Sequence, residues 1–232
     1  MPQSVTTVGF DADDTLWHNE RYFQLTQERF AGLLADFTDP ESLTARLEAA
    51  ERRNLGHYGF GIKGFTLSMI ETAIEVTGGR VSARVISELL AAGREMLEHP
   101  VDLLPHARTA VEAARETHKV LLITKGDLLD QERKLAQSGL GELFDGVEIV
   151  SEKSDAVYAE IFTRHADGAA RGLMVGNSLR SDVLPMIAAG GWGAYVPHDL
   201  TWAVEHAEPP EHPRFAEIRD LAGLSALLDR LG

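Results

Sequence analysis

Five short apolar segments of the chain are typical of buried strands, and helical patterns accompany the later ones. The predicted strands are Thr6–Phe10, Lys119–Thr124, Gly146–Val150, Gly172–Val175 and Gly193–Val196. The predicted helices around them are Leu104–Glu116, Asp127–Ser138, Ser154–Ala166 and Leu179–Ala189. Apolar strands that alternate with helices form right-handed β-α-β units with parallel neighbouring strands. The sequence therefore predicts an α/β fold with a doubly wound, five-stranded, Rossmann-like parallel sheet.

Roughly a hundred residues separate the first predicted strand from the second, whereas a simple crossover needs about a dozen or more. Helical patterns fill this interval, at Glu20–Phe37, from Asp39-Pro40 to about Leu55, at Phe65–Thr77 and at Ser82–Glu98. One helix would complete a crossover, so the interval predicts an inserted all-α domain. We assign residues 1–17 and 100–232 to a core domain and residues 18–99 to a helical cap.

Two further segments are assigned from their composition. Residues 56–64 contain four glycines among aromatic and polar residues, which predicts a loop between two helices of the insert or a contact with a ligand. The tail over 215–231 predicts a final helix that packs on the sheet.

The composition limits the class of partner. The chain has 22 Lys and Arg against 36 Asp and Glu, a formal net charge of -14, which disfavours nucleic acid. No apolar run approaches the ~20 residues that a membrane-spanning helix needs, and the N-terminus lacks the features of a signal peptide. Without cysteine there is no disulfide or thiolate metal site. We expect a cytoplasmic protein without a membrane or nucleic-acid partner; monomer and homodimer stay equally open.

The strongest chemical signal is Phe-Asp-Ala-Asp-Asp-Thr-Leu at residues 10–16, directly after the first predicted strand. Asp11, Asp13 and Asp14 place three carboxylates within four residues, where they repel one another unless a partner neutralises them. Carboxylate oxygens suit Mg²⁺, and ligands bind at the carboxyl ends of strands in doubly wound sheets. The alternative is an acidic helix start in which Asp13 or Asp14 caps the following turn.

The pattern Asp-x-Asp-x-Thr after an apolar strand resembles the first signature of the haloacid dehalogenase-like hydrolases. The helical insert resembles the branch of that family with an α-helical (C1-type) cap. The resemblance implies that Asp11 is a covalent nucleophile and Asp13 a general acid and base, with Thr15 supporting the turn. A carboxylate nucleophile divides one displacement into two easier ones. A second carboxyl group, held protonated, can donate to the leaving group and then activate water.

The family's other three signatures have counterparts at later predicted strands. The resemblance implies that Thr124, at the end of the second strand, binds the phosphoryl group and that Lys125 adds positive charge there. Lys153, after the third strand, would bind phosphate and keep the nucleophile ionised. After the fourth strand, Asn177 and Asp182 stand where the family has an acidic pair.

By the same resemblance, Mg²⁺ would be held by the carboxylates of Asp11 and Asp182, the backbone carbonyl of Asp13 and, through water, the amide of Asn177. Asn177 replaces an acid and removes one negative charge, so we expect weaker metal binding. The chain also departs from the family's usual pattern at Lys125, where Asn is usual, and at Ser154, where many members have proline.

The residue two positions after the nucleophile separates branches of the family. Haloacid dehalogenases expel halide, need no acid for the leaving group and lack an aspartate there. The phosphonate-cleaving branch has a small residue there and a cap lysine that forms a Schiff base. Asp13 favours cleavage of a phosphate ester. The resemblance therefore implies a Mg²⁺-dependent phosphomonoester hydrolase that acts on a small phosphorylated metabolite through an aspartyl-phosphate.

Other interpretations stay open. A sugar-phosphate mutase would use the same two aspartates, and a catalytically silent binding protein would accommodate Asn177. A phospho-acceptor receiver domain has similar residue types, but its aspartate follows the third strand and it has no helical insert. The sequence does not identify the substrate. The candidate substrate contacts are Trp17, His18, His57, Tyr58 and Lys63.

Overall fold

The computed structural model describes residues 4–200, 202 and 205–232. The described chain divides into two compact units. The first consists of the chain up to Glu20, Val101–Lys125 and Gln131–Gly232, and the second of Arg21–Pro100 and Gly126–Asp130. The division expected from the sequence was 1–17 with 100–232, and 18–99. Apart from the short segment 126–130, the observed boundaries lie within three residues of those positions.

The first unit contains a six-stranded sheet. Its strands are β1 (Thr7–Phe10), β2 (Lys119–Lys125), β3 (Gly146–Val150), β4 (Gly172–Gly176), β5 (Trp192–Tyr195) and β6 (Phe215–Glu217). Their order is β3-β2-β1-β4-β5-β6, and every neighbouring pair runs parallel. The predicted Rossmann-like parallel fold is therefore confirmed, with one strand more than expected.

The described α-helices belong to both units. They are α1 (Glu20–Leu33), α2 (Pro40–Tyr58), α3 (Ile62–Val76), α4 (Ala83–Glu98), α5 (Ala107–Arg115), α6 (Leu128–Ser138), α7 (Asp155–His165), α8 (Leu184–Ala188) and α9 (Leu224–Leu231). None of these helices is long and apolar enough to cross a membrane.

Both faces of the central strands β1, β2 and β4 are buried, which explains why these strands are apolar runs. In β2, Val120 and Leu122 join the apolar cluster that contains side chains of α5 and α9. Leu121 and Ile123 point the other way and join the cluster that contains side chains of α7 and α8. Successive side chains of a strand alternate between the two faces of the sheet. A strand that is covered on both faces therefore has apolar residues at successive positions.

The sixth strand corrects the prediction for the C-terminal tail. β6 pairs with β5, with Phe215 opposite Gly193 and Glu217 opposite Tyr195. The predicted helix over 215–231 is wrong in its first part, because α9 begins at Leu224. A strand of three residues is too short for its apolar alternation to be recognised in a sequence. Hydrogen bonding along β5 determines its structure instead.

The glycine-rich segment 56–64 is also corrected, because most of it is helical. Only Gly59–Gly61 connects α2 and α3. Gly59 and Gly61 have φ angles of 71° and 102°, which glycine adopts without steric cost. Gly64 lies inside α3, where a Cβ atom would stand 2.7 Å from the Gly59 carbonyl oxygen. The glycines allow a tight helix–helix turn rather than a long loop.

The second unit is built on α1–α4, and two of its helices begin at side-chain caps. The Asp39 carboxylate accepts the Ser42 N–H at 2.9 Å, and Pro40 occupies the first helical position. Ser82 likewise accepts the Val85 N–H at 3.2 Å. The buried apolar residues of the unit include Phe30, Leu34, Leu43, Leu47, Phe65, Met69 and Leu89.

Candidate active site

The predicted site residues of the first unit gather at the carboxyl ends of adjacent strands. Asp11 follows β1, Thr124 is the penultimate residue of β2, and Asn177 follows β4. Because β1 lies between β2 and β4, these three residues come together at one edge of the sheet. Lys153 follows β3, the next strand beyond β2. Such an edge is the usual ligand site of a doubly wound sheet.

Asp11 is a buried carboxylate with two side-chain donors. Lys153 Nζ lies 2.5 Å from its Oδ1, and Thr15 Oγ1 donates to its Oδ2 at 2.9 Å. Its backbone N–H donates to the Val175 carbonyl of β4 at 2.9 Å. These contacts fix the orientation of the carboxylate and pair its charge.

Lys153 stands between two carboxylates. Its ammonium is 2.5 Å from Asp11 Oδ1 and 2.7 Å from Asp182 Oδ1, with a side chain only 2% exposed. Burial alone would lower the pKa of Lys153, but the two carboxylates outweigh it and raise this pKa well above its ordinary value. The lysine is therefore a fixed positive charge in the site.

Asp182 shares that lysine and is 1% exposed. Its Oδ2 accepts the Ser178 N–H at 2.9 Å. Burial, followed by the negative charge of Asp11, raises the pKa of Asp182 to about 7. When both carboxylates are ionised, the one ammonium cannot neutralise them, and one negative charge is left over. A bound cation would compensate that charge.

The side-chain amide of Asn177 lies beside two of the predicted metal ligands. With its NH₂ group turned toward them, this amide donates to Asp11 Oδ2, the Asp13 carbonyl and Thr15 Oγ1, each at 3.2 Å. In the opposite orientation the amide oxygen would face the same groups, an arrangement that a bound cation would stabilise. Asp11 Oδ2 and the Asp13 carbonyl are among the predicted ligands, and oxygen ligands suit Mg²⁺. The residues present therefore fit this ion.

The acidic groups alone do not define that site. In the described part of the chain, no group of three or more His, Cys, Asp or Glu side chains is arranged to hold a metal ion. The predicted ligand set differs because it relies on one amide and one backbone carbonyl besides Asp11 and Asp182. The assignment of these ligands stays a prediction.

Asp13 differs from the protonated acid that the sequence led us to expect. Both of its oxygens contact Lys134 Nζ, at 2.6 and 2.7 Å. Trp17 Nε1 donates to Oδ1 at 2.6 Å, and Gln131 Nε2 donates to Oδ2 at 2.8 Å. Burial would raise the pKa of Asp13, but the charge of Lys134 and these hydrogen bonds outweigh it and lower this pKa. The structure thus presents Asp13 as a carboxylate.

Asp14 has the capping role that the sequence left open. Its carboxylate accepts the backbone N–H groups of Asn19 and Glu20, at 2.8 and 3.0 Å, at the start of α1. Its φ of 59° is in the left-handed region. Burial raises the pKa of Asp14 to about 6. His198 Nε2 lies 3.8 Å from its Oδ1.

Lys125 belongs to a polar cluster that includes Glu205. Its ammonium lies 2.5 Å from Glu205 Oε1 and donates to Ser181 Oγ at 2.8 Å. The other oxygen of Glu205 accepts from Ser178 and Ser181, each at 2.5 Å. Burial would raise the pKa of Glu205, but Lys125 outweighs it and lowers this pKa. Lys125 is thus paired with a carboxylate, and its contact with phosphate stays a prediction.

The candidate substrate contacts have different environments. Trp17 is fully buried, so it reaches the site through its hydrogen bond to Asp13 rather than through an open surface. The ring of His18 packs edge-on against His198. In the second unit, Lys63 Nζ donates to both oxygens of Asp127 at 2.9 Å.

Two further candidates lie side by side at the end of α2 in the second unit. Tyr58 is 42% exposed, and its hydroxyl donates to Glu71 at 2.7 Å. His57 is exposed. Substrate contact by these residues stays a prediction.

Sequence reasoning missed three residues of the site, namely Gln131, Lys134 and Glu205. Gln131 and Lys134 are three positions apart on α6, and they therefore share one face of that helix. Because α6 begins shortly after Thr124, this spacing was a usable signal. Glu205 had no such signal, because it lies far from every motif and reaches Lys125 only in the folded chain.

Comparisons with known proteins identify the family. Residues 5–190 match the haloacid dehalogenase-like hydrolases. A haloacid dehalogenase-like family hydrolase from Xanthomonas campestris is 44% identical, with a TM-score of 0.89, and the match covers 99% of this chain and 92% of that chain. The chain belongs to the haloacid dehalogenase-like hydrolases. It has the Rossmann-like core and helical cap of that fold.

More distant solved structures share the fold alone. The HAD-hydrolase YfnB from Bacillus subtilis, bound to magnesium, is 18% identical with a TM-score of 0.67, covering 98% of this chain and 100% of that chain. The L-2-haloacid dehalogenase from Xanthobacter autotrophicus, with chloropropionic acid covalently bound, is 17% identical with a TM-score of 0.69 and the same coverage. No curated protein sequence matches the chain.

Proposed function

We propose that the chain is a Mg²⁺-dependent phosphomonoester hydrolase that acts on a small phosphorylated metabolite through an aspartyl-phosphate on Asp11. The observation that carries the proposal is the pair of carboxylates that follows β1. Asp11 is ion-paired with Lys153, and Asp13 is ion-paired with Lys134. An ester oxygen needs a proton as it leaves, whereas a halide does not. A second carboxyl group beside the nucleophile therefore favours phosphate esters.

The metal would be held by the carboxylates of Asp11 and Asp182, the backbone carbonyl of Asp13 and, through water, the amide of Asn177. When bound, Mg²⁺ supplies positive charge that stabilises the phosphoryl oxygens. Lys153 adds a second, fixed positive charge, because it is buried between Asp11 and Asp182. The net charge of -14 opposes an anionic substrate, and Lys153 is already paired with two carboxylates, so the bound cation would supply the excess positive charge of the site.

In the first half-reaction, Asp11 attacks phosphorus and forms a new P–O bond as the ester P–O bond breaks. The departing oxygen takes a proton from Asp13, which is a carboxylate in the structure and therefore has to bind a proton before this step. Thr15 and Lys153 hold Asp11 in a fixed orientation, so little ordering remains for the attack itself. Thr124, at the end of β2, is the residue that would donate its hydroxyl to a phosphoryl oxygen.

In the second half-reaction, Asp13 acts as a base. It takes a proton from water, whose oxygen attacks the phosphorus of the aspartyl-phosphate. The bond between Asp11 and phosphorus breaks, inorganic phosphate leaves, and Asp13 carries a proton again. The lowered pKa of Asp13 supports this step, because a base has to be a carboxylate when water arrives.

Hydrolytic dehalogenation of a 2-haloacid is a second candidate. The observation in its favour is that the Asp13 oxygens accept bonds from Trp17, Gln131 and Lys134 in the structure. A reaction that expels halide needs no proton from Asp13. Activation of water by Asp13 would serve either reaction, but protonation of a leaving group by Asp13 has a use only for the phosphate ester.

The test is release of inorganic phosphate from 4-nitrophenyl phosphate and a panel of small phosphate monoesters, with Mg²⁺ and with chelator. We expect activity that requires Mg²⁺ and that falls at least about 10³-fold in Asp11→Asn, since the nucleophile is lost. Asp229→Asn is the matched control, because Asp229 is exposed on α9. It should keep the native rate.

Each alternative has its own signature in the same assay. Chloride release from 2-chloropropionate without phosphate release would establish a dehalogenase. Interconversion of sugar phosphates, with accumulation of a bisphosphate, would establish a mutase. No turnover together with binding of phosphate esters would establish a silent binding protein. Phosphate release that is undiminished in Asp11→Asn would refute the nucleophile assignment.

A further inference from the structure

The carboxylate of Asp13 is saturated with hydrogen bonds. Its Oδ1 accepts from Trp17 Nε1 and Lys134 Nζ, each at 2.6 Å. Its Oδ2 accepts from Gln131 Nε2 at 2.8 Å and from Lys134 Nζ at 2.7 Å. One ammonium therefore bridges both oxygens, while a neutral donor holds each oxygen from another side. Four contacts leave the carboxylate one preferred orientation.

Lys134 is placed to act on Asp13 without being exposed. Its side chain is 8% exposed, against 22% for that of Asp13. A buried ammonium is costly unless its charge is paired, and here it lies across the Asp13 carboxylate. It also donates to Asn19 Oδ1 at 3.2 Å, which anchors it from a third side. The lysine lies behind Asp13, and the exposed part of the pair belongs to the aspartate.

The helix α6 provides a rigid support for this arrangement. Gln131 and Lys134 are three residues apart, so they point from the same face of α6 toward Asp13. Trp17, on the chain segment after the Asp-x-Asp pattern, closes the other side with a fully buried ring. Groups that are locked by packing and helix geometry hold a reacting side chain more accurately than groups on mobile loops.

We propose that Lys134 is the positioning residue that orients the Asp13 carboxyl group for proton transfer to the leaving oxygen and from water. The inference rests on the proposed phosphomonoester hydrolysis and deepens it. Lys134 touches neither substrate nor phosphorus in this scheme. When Asp13 takes a proton on one oxygen, a donor on that oxygen is displaced, while the other oxygen keeps its contact with Lys134. The orientation of the carboxyl group therefore persists through both half-reactions.

A merely structural role for Lys134 would give a different result from a positioning role. Loss of folded protein lowers the rate on every substrate by the same factor. Loss of the Asp13 orientation affects only the proton transfer, and proton transfer matters most when the leaving group is poor. The informative quantity is therefore the ratio of kcat/KM values on two substrates, because kcat/KM covers the steps up to departure of the leaving group.

The experiment compares Lys134→Met with the native protein on 4-nitrophenyl phosphate, which has a good leaving group, and on glycerol 2-phosphate, which has a poor one. We expect kcat/KM on glycerol 2-phosphate to fall about 10²-fold, within the usual range for general acid catalysis. On 4-nitrophenyl phosphate it should fall only a few-fold. Lys119→Met, at the exposed first residue of β2, is the matched control and should change neither value.

A double-mutant cycle connects the effect to Asp13. Asp13→Asn should show the same dependence on the leaving group, and adding Lys134→Met to it should cause little further loss. Lys134→Gln keeps one N–H donor for Asp13 and should lie between Lys134→Met and the native protein. It also serves as the test variant if Lys134→Met does not fold.

Three results would overturn the inference: equal losses on both substrates, no loss on either, or additive losses in the double variant. Each of these leaves the proposed phosphatase activity intact. Failure of the native protein to release phosphate from either substrate, or from the wider panel, would refute the proposed function itself. The role of Lys134 in it would then fall as well.

Discussion

At the scale of single residues, three aspartates within four positions have three different environments. Asp11 is paired with Lys153, Asp13 with Lys134, and Asp14 caps α1 through the N–H groups of Asn19 and Glu20. The sequence alone separates them poorly, because the side chains that distinguish them come from distant positions. A fourth aspartate of the site, Asp182, contacts the same Lys153 ammonium as Asp11.

Asp182 gives a prediction for the dependence of stability on pH and metal. Its pKa is raised to about 7, so the folded metal-free protein keeps a proton that the unfolded carboxyl has already lost. This contribution to stability is complete below the unfolded pKa and is lost as the pH rises through about 7. Asp14, whose pKa is raised to about 6, acts in the same direction. The melting temperature of the metal-free protein should therefore fall between about pH 5 and about pH 8.

Mg²⁺ should oppose that fall, because it competes with the proton for the surplus negative charge. Calorimetry should show a larger stabilisation by Mg²⁺ at the higher pH. Asp182→Asn should reduce both the pH dependence and the effect of Mg²⁺. A melting temperature that rises with pH in the metal-free protein, or Mg²⁺ stabilisation that is equal in Asp182→Asn, would contradict this account.

At the scale of elements, strong periodic segments were predictable and short irregular ones were not. Each of the five predicted strands is present, shifted by at most one residue at an end. The helix predicted to begin at Asp39-Pro40 begins there, with Asp39 as its cap. The short strand β6 was missed because three residues show no usable alternation. The segment 56–64 was misassigned because four glycines in it suggested a loop.

The glycines of that segment provide a matched pair of variants. Gly64→Ala places a Cβ atom 2.7 Å from the Gly59 carbonyl oxygen. Because that oxygen belongs to the backbone, it cannot move away as easily as a flexible side chain. We expect destabilisation of about 1–3 kcal/mol. Gly56→Ala, in α2 with nothing within 4 Å of the added atom, should stabilise by about 0.5–1 kcal/mol. Urea unfolding monitored by circular dichroism measures both. A Gly64→Ala variant as stable as Gly56→Ala would show that the turn between α2 and α3 can move to accommodate the added Cβ atom.

The residues of the candidate site that lie near the carboxyl ends of strands were predictable from the sequence. Asp11, Thr124, Lys153, Asn177 and Asp182 were identified because each comes directly after, or at the end of, an apolar strand or within its following turn. The partners of Asp13 and Lys125, namely Gln131, Lys134 and Glu205, were not identified, because nothing in the local sequence shows which side chain each of them faces. Lys134 on α6 could have been recognised only through its spacing from Gln131.

At the scale of the whole molecule, the net charge of -14 contrasts with the cations of the first unit's site. Lys125, Lys134 and Lys153 are each paired with a carboxylate and largely buried. The field of the molecule thus opposes an anionic substrate at long range. Because carboxylates balance the lysines of the site, short-range attraction for an anion would have to come from a bound cation.

The most direct test of the central claim is to find the phosphoryl group on Asp11. Asp13→Asn should still be phosphorylated by 4-nitrophenyl phosphate, whose leaving group needs little help, but it cannot activate water for the second step. After acid quenching, peptide mass spectrometry should show one phosphoryl group on the peptide that contains Asp11, with one equivalent of nitrophenol released. Phosphate on another residue, or rapid turnover without any covalent adduct, would contradict the account.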